Sequence, residues 1–269
     1  MKIGLIFWGL TRSLKYTHIS IKKNILEVFH NNNIDYEIFM HTYKVSNTYT
    51  NYRAKENKIE LDFDQYKLLE IDNFIWDNLE DVKKNINFKD YRKKGDPWSK
   101  SGSKEFQTLD NFILSLYSKN KITQEFKLKS SQFDYVIYLR PDVLYVKPID
   151  LSIFNLIKND IGLIPNFHHN NGYNDRMFIS NSQNAIKYGS FYQKLLKYSK
   201  NKLAYSEKFN KDMLKKHNIE IKLIDFPFRR VRANGKYIDK AIGKISLDFE
   251  KYGLRREGTG GKSKLIILD

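Results

Sequence analysis

The sharpest feature in the pattern of apolar and polar positions is the uninterrupted run Tyr135-Val136-Ile137-Tyr138-Leu139, closed by Arg140-Pro141-Asp142. A short uncharged run of β-branched and aromatic residues predicts a strand buried on both faces, near the middle of a parallel sheet. Proline has no N–H for a sheet ladder and forces the residue before it to be extended, so the strand ends there. An arginine and a carboxylate then project from the carboxyl end of a central strand, which is where open α/β sheets bind ligands.

Ile3–Phe7 repeats the pattern and runs into Trp8-Gly9-Leu10-Thr11-Arg12-Ser13. With a flexible glycine, two hydroxyls and a guanidinium, this loop can hold a phosphate or a base. Ile21, Ile25, Val28 and Phe29 recur at helical spacing, which predicts a helix opening at Thr17-His18 and closing at Asn31–Asn33. Tyr36–Met40 reads as a third strand with His41-Thr42-Tyr43 at its end, completing a βαβ unit. Lys44–Asn73 carries only weak alternation, and Ile75–Val82 reads as a short helix. Asp90–Ser103 is a loop by its glycines and proline, and its lysines can face phosphate. Phe106, Leu109, Phe112, Ile113 and Leu116 define an amphipathic helix that carries Gln107 and Asn111.

Beyond the central run, Leu151–Ile157 reads as helix and Ile161–Ile164 as strand, followed by a polar loop ending in Asp175-Arg176. Met177–Ser180 is a strand, and Ser182 caps a helix running past Tyr192 to Leu196. Ser206–His217 is a helix with Glu207 in its first turn, and Ile219–Phe226 a strand region. The tail carries Arg229, Arg230, Arg232, Arg255 and Arg256, then Gly258, Gly260 and Gly261. The expectation is an α/β fold: one Rossmann-like domain with a mostly parallel central sheet flanked by helices.

Composition narrows the classes. With 269 residues, 41% hydrophobic and 14% aromatic, the chain can bury a full core as a single domain. A formal charge of +16 favours polyanionic partners: nucleic acid, an anionic membrane surface or a phosphorylated small substrate. The aromatic residues mostly occupy core periods and no nucleic-acid signature appears, so no nucleic-acid partner is expected. No Walker-type phosphate loop is present. The absence of cysteine suits a reducing compartment. No segment has the length of a membrane span or a signal-peptide core, which points to the cytoplasm.

Arg140 and Asp142 form either a plain salt link on a surface turn or a diphosphate site. In the second case Asp142 holds a hard divalent cation such as Mn²⁺ or Mg²⁺ and Arg140 answers phosphate directly. At this point the residues resemble a family. A hydrophobic strand ending in an acidic motif and followed by Val143-Leu144-Tyr145-Val146 is similar to the DxD segment of GT-A fold glycosyltransferases. The likeness is to a group with Arg-Pro-Asp at this place, found in large DNA viruses and some bacteria. Gly9-Leu10-Thr11-Arg12, Phe39-Met40-His41-Thr42-Tyr43, Asn174-Asp175-Arg176-Met177-Phe178, Glu207 and Arg232-Ala233-Asn234-Gly235 resemble that group in order, over about residues 1–237. Arg140 stands where the usual motif has its first acid, so Asp142 alone matches it.

The resemblance implies a single GT-A domain, with a nucleotide-binding part at about residues 1–146 and an acceptor side at about 147–269. It implies a UDP- or GDP-sugar donor, a glycan or similar hydroxyl acceptor and, for a viral protein, a place in the host cytoplasm. The Gly9–Arg12 loop would hold base and ribose or phosphate, Asp142 would lie near the sugar diphosphate, and the acceptor would enter beyond Asp175 and Glu207. The chemistry needs cationic groups for the leaving diphosphate and a carboxylate to take the acceptor's proton. Asp175 is the first choice for that base, against simple pairing with Arg176. Glu207 is either a catalytic acid or base or a favourable helix N-terminal charge. His41 contacts the nucleotide or fills the core, and Gln107 and Asn111 brace Arg140 or face water. Arg229, Arg230 and Arg232 close over the diphosphate or form a solvated face. His168 and His169 line a loop, because two adjacent histidines do not make a metal site. The competing classes are a non-catalytic nucleic-acid binder and a sugar-nucleotide binder without turnover.

Overall fold

The computed structural model describes residues 1–46, 48–238, 248–258 and 263–268, so Gly260 and Gly261 of the glycine cluster lie outside the described residues. In chain order the strands are β1 (Lys2–Trp8), β2 (Asp35–Lys44), β3 (Tyr49–Asn51), β4 (Glu56–Ile59), β5 (Asn73–Asn78), β6 (Tyr135–Leu139), β7 (Val143–Tyr145) and β8 (Ile161–Pro165). They continue as β9 (Met177–Ser180), β10 (Glu220–Ile224), β11 (Phe228–Val231), β12 (Tyr237–Ile238), β13 (Leu254–Glu257) and β14 (Lys264–Ile267). The helices are α1 (Leu14–Ile21), α2 (Glu27–Asn31), α3 (Leu79–Asn85), α4 (Gln107–Lys127), α5 (Ser182–Gly189), α6 (Tyr192–Ser199) and α7 (Ser206–Lys216).

Seven strands form the main sheet in the order β10-β8-β9-β6-β1-β2-β5. All neighbours are parallel except β9, which runs antiparallel to both β6 and β8. The chain is therefore α/β with a mostly parallel sheet flanked by helices, as expected, and Tyr135–Leu139 is its central strand. Ile3, Leu5 and Phe7 of β1 and Ile137 and Leu139 of β6 enter one core, beneath α1 and α2. Ile6, Trp8, Val136 and Tyr138 enter a second, beneath α4 to α7. Burial of both faces is why these strands read as unbroken apolar runs.

The first helix opens at Leu14, before the expected Thr17-His18, with the Thr11 carbonyl accepting from the Leu14 N–H. Thr17 is instead inside it, donating to the Pro141 carbonyl at 2.6 Å. A π turn, Lys22–Leu26, joins α1 to α2. It aims Asn24 at the Tyr145 carbonyl, 2.7 Å away. Strand β2 runs through His41–Tyr43 rather than ending before them, because β5 pairs along it from Phe39 to Lys44. Ile75–Val82 is helical only from Leu79: its aromatic and branched first half extends as β5, and Asn78 then caps α3 through the Glu80 and Asp81 N–H groups. The weak stretch Lys44–Asn73 holds the small hairpin β3–β4 and the 3₁₀ turn Phe63–Leu68. Leu151–Leu156 is likewise 3₁₀. Asn181, not Ser182, caps α5, and the expected long helix breaks after Gly189 into α5 and α6.

A second sheet, β12-β11-β7, crosses the rim of the main one. Its β11 pairs antiparallel with β7, setting Arg230 opposite Val143 and Arg229 opposite Leu144. Residues near 230 thus return to the segment that follows the central strand.

At Gly189, helix α5 comes close to both α4 and β6 in the second core. A Cβ there would lie 2.0 Å from Thr123 Oγ1 and 2.2 Å from the Tyr138 hydroxyl. Those two oxygens are hydrogen-bonded to each other at 2.8 Å, so neither yields freely. Gly189→Ala is expected to cost about 1–3 kcal/mol by overpacking. Urea titration would read this as a lower midpoint with an unchanged slope.

Candidate functional site

Chain order reverses on either side of β1, which hydrogen-bonds to β2 on one flank and β6 on the other. The carboxyl ends of β1 and β6 therefore flank the switch point where open α/β sheets form a crevice. Gly9 and Leu10 after β1, and Arg140 and Asp142 after β6, line a cleft of about 650 Å³ at this place. Gly9 has φ +91°, a left-handed conformation that glycine tolerates, and its N–H is held by Ser118 Oγ at 2.8 Å.

The two ends of the cleft differ in chemistry. Toward β2 and α3 it is walled by Leu10, Tyr43, Val45, Leu79, Phe88 and Leu114, part of an apolar cluster. Toward β6, β7 and β11 it is walled by Arg12, Arg140, Asp142, Arg176, Arg230 and Arg232. The β3–β4 hairpin makes a side wall with Tyr49, Tyr52 and Arg53. Arg53 lies over the Trp98 ring, 5.9 Å from its centre.

Asp142 is the hub of the charged end. It is 3% exposed, and its Oδ2 accepts from Arg12 Nη2 at 2.9 Å and from Arg140 Nη2 at 2.8 Å. Burial opposes its charge, but Arg140, Arg12 and Arg232 outweigh that and hold the carboxyl well below the usual range. Arg12 reaches Tyr49 Oη at 2.5 Å and Glu56 Oε2 at 3.3 Å. Burial works against its charge too, yet Tyr49, Asp142 and Glu56 raise its pKa further. Glu56 is 1% exposed, and its other oxygen accepts from the Ala233 N–H at 2.7 Å. An ion-pair chain thus runs Glu56, Arg12, Asp142, Arg140, and pins the turn after β11. That turn needs Gly235, at φ +75°, where a Cβ would sit 2.5 Å from the Leu265 carbonyl oxygen.

Arg230 in β11 and Arg232 just past its end flank the buried Val231, and both line the cleft. Burial, then the charges of Arg176 and Arg232, lowers Arg230 to about 9. Burial, then Arg12, lowers Arg232 to about 10. Cations crowd one another here without enough anions between them.

Asp175 faces the cleft and pairs with Arg176 Nη1 at 3.2 Å, while its Oδ1 has no hydrogen-bond partner. Burial pushes its pKa up, but Arg176, Arg140 and Lys119 together hold it below the ordinary carboxylate range. Glu207 is set behind this pair rather than in the cleft. It accepts from Ser206 at 2.7 Å and Asn170 at 2.9 Å, and reaches Arg176 Nη2 at 3.4 Å, so it holds Arg176 in place.

Other expected contacts are met differently. Thr11 is buried beneath the loop, without lining the cleft. His41 is fully buried between Ser118 Oγ (2.7 Å) and Asp77 Oδ2 (3.1 Å), and burial lowers its pKa against the pull of Asp77. Gln107 lines the cleft but grips the hairpin rather than Arg140, accepting from the Tyr52 N–H at 2.9 Å and donating to the Thr50 carbonyl at 3.0 Å. Asn111 lines the same wall. Arg229 faces away, with Tyr237 and Arg256 for company.

The donor set around Asp142 does not match a Mn²⁺ or Mg²⁺ site. Such ions gather several hard oxygens. Here a lone carboxylate has one oxygen taken by two guanidiniums, and among the described residues no group of three or more His, Cys, Asp or Glu is gathered. At an effective dielectric of about 20, one unit charge about 6 Å from a dication repels it by about 5.5 kcal/mol. Several arginines make such a place unwelcoming.

Two site residues escape sequence reading for different reasons. Glu56 lies in a hairpin too short for any period, and its partners are remote in sequence. Lys119 left a usable signal, since it falls midway between Leu116 and Ile122 on the apolar stripe of α4. It is 3% exposed, with Nζ 3.7 Å from the Tyr188 ring centre, and burial lowers it to about 7, Asp175 opposing and Arg140 adding.

Glu56→Ala should cost about 3 kcal/mol in denaturant titration, because Arg12 and the Ala233 N–H each lose a buried partner. Lys119→Met should act oppositely. The folded pKa lies below the unfolded one, so the unfolded chain binds the extra proton between them and wild-type stability rises over that range. The methionine variant should melt higher at pH 7, with the gap narrowing as pH approaches 10. Thermal scans across that range check it.

Among the described residues no helix is long and apolar enough to cross a membrane. No known family model matches the chain, and no curated protein matches it significantly.

Proposed function

We propose that the protein transfers a glycosyl group from a nucleotide-diphosphate sugar to a hydroxyl of a glycan or similar acceptor, and that the cleft at the sheet's switch point is its active site. The observation that carries this reading is the division of the cleft. One wall is apolar, the other presents guanidiniums, and the Asp175 carboxylate also lines the cleft, its pKa held low. An amphipathic ligand with a ring at one end and a pyrophosphate in the middle fits that order.

In this reading the base lies among Leu10, Tyr43, Val45, Leu79 and Phe88, and the diphosphate meets Arg140, Arg230 and Arg232. The sugar then points toward Asp175, and the acceptor hydroxyl enters beside Arg53 and Trp98. As the acceptor oxygen bonds to the anomeric carbon, its proton passes to the Asp175 carboxylate. The bond from the anomeric carbon to the diphosphate oxygen breaks, and that oxygen's growing charge falls on the arginines. Arg176, fixed by Glu207, keeps Asp175 ionised.

Titration with UDP, GDP and their sugars tests the reading; failure to bind any nucleoside diphosphate would remove it, and preferential, salt-sensitive binding of a polynucleotide would favour the nucleic-acid alternative. Asp175→Asn should keep donor affinity within a few-fold while turnover falls roughly 10²- to 10⁴-fold. Unchanged turnover would dismiss Asp175 as the base. Because Asp175 is held below the ordinary range, the acid limb of the activity profile should fall at lower pH than an unperturbed aspartate would give.

A further inference from the structure

The charge distribution at the β6 rim allows a step that rests on the nucleotide-sugar reading but is separable from it. We propose that the diphosphate is held by guanidinium groups alone, Arg140, Arg230 and Arg232 with Arg12 behind them, and that Asp142 positions these arginines instead of ligating a divalent cation.

Geometry supplies the argument. The carboxylate that would have to bind metal already accepts from Arg12 and Arg140 through the same oxygen, at 2.9 and 2.8 Å. Arg12 is itself pinned by Glu56 and Tyr49, so this pair is a fixed part of the wall. Arg230 arrives on β11 and Arg232 directly after it, and the register of β11 with β7 and the Val231 N–H to Asp142 carbonyl bond (2.9 Å) place them beside the same hub. Among the described residues neither makes an ion pair or a side-chain hydrogen bond, and the Nε groups of Arg12, Arg140, Arg230 and Arg232 all lack acceptors. The formal charges of those four guanidiniums, set against Asp142 and Glu56, leave an excess of two, and Arg53 and Arg176 against Asp175 and Glu207 leave none. A nucleotide sugar carries two negative charges on its diphosphate. The cage matches that charge without help, and planar guanidiniums can each give two parallel donors to phosphate oxygens.

Calorimetric titration of UDP, GDP and inorganic pyrophosphate, run in EDTA and again in millimolar Mn²⁺ or Mg²⁺, tests the proposal. The affinity of the better nucleotide should agree within about two-fold between the two conditions. Arg230→Gln and Arg232→Gln should each weaken it ten-fold or more in EDTA. Both variants should melt no lower than wild type, since each removes a charge from a crowd of like charges, which separates lost binding from lost folding. Binding that improves ten-fold or more with metal would overturn the proposal and leave the nucleotide-sugar reading standing. Binding in EDTA that neither variant weakens would overturn it as well, by moving the phosphates elsewhere. Absence of binding under every condition would overturn both.

Discussion

The buried carboxylate of Asp142, clasped from two sides by Arg12 and Arg140, is the interaction on which the rest of the cleft depends. A charge so deeply enclosed is tolerated only when compensated, and here the compensation comes from its own turn and from two distant stretches of chain. Arg12 follows β1, Arg140 follows β6, and Arg232 returns with β11. Glu56 extends the chain of ion pairs to the hairpin wall and to the turn at Ala233. One side chain therefore coordinates the loop after the first strand, the rim of the central strand and the smaller sheet.

The same arrangement stores an imbalance. Arg230 and Arg232 are less basic than usual because burial and neighbouring cations disfavour their charge. Groups held in such conditions concentrate at functional sites, where a ligand relieves what the free protein must bear. Lys119 contributes in kind beneath the floor, its charge acting on Asp175 from within the second core. Stability is given up locally, and the aromatic packing around Tyr138, Tyr188 and Phe178 lies immediately behind it.

What the sequence discloses and what it hides divide along physical lines. Strands buried on both faces announce themselves, so β1, β6, β8 and β9 are legible, and with them the rim residues Gly9, Arg140 and Asp142. The Pro141 break places the two charges correctly because proline acts locally. The strand β5 reads as a helix because its apolar residues are only partly buried and carry no clean alternation. His41 reads as a strand-end ligand because nothing local reveals that β5 continues the pairing past it. The antiparallel sense of β9 is equally invisible, since a buried four-residue run, three of it apolar, reads the same in either direction. Glu56 and the partnership of Gln107 with the hairpin depend on contacts across the fold, which no local period encodes.

The return of β11 to β7 has an implication for how the molecule comes into being. A ribosome emits the chain from its amino end, so β1, β2 and β6 can assemble with Arg12, Asp142 and Arg140 already in contact, while Arg230 and Arg232 are still to be made. The Rossmann-like half would then exist for a time with a wall missing, and the cavity would become competent only when the strand near residue 230 docks. A nick or a stop placed between β10 and β11 should therefore leave the central sheet standing while abolishing the cage.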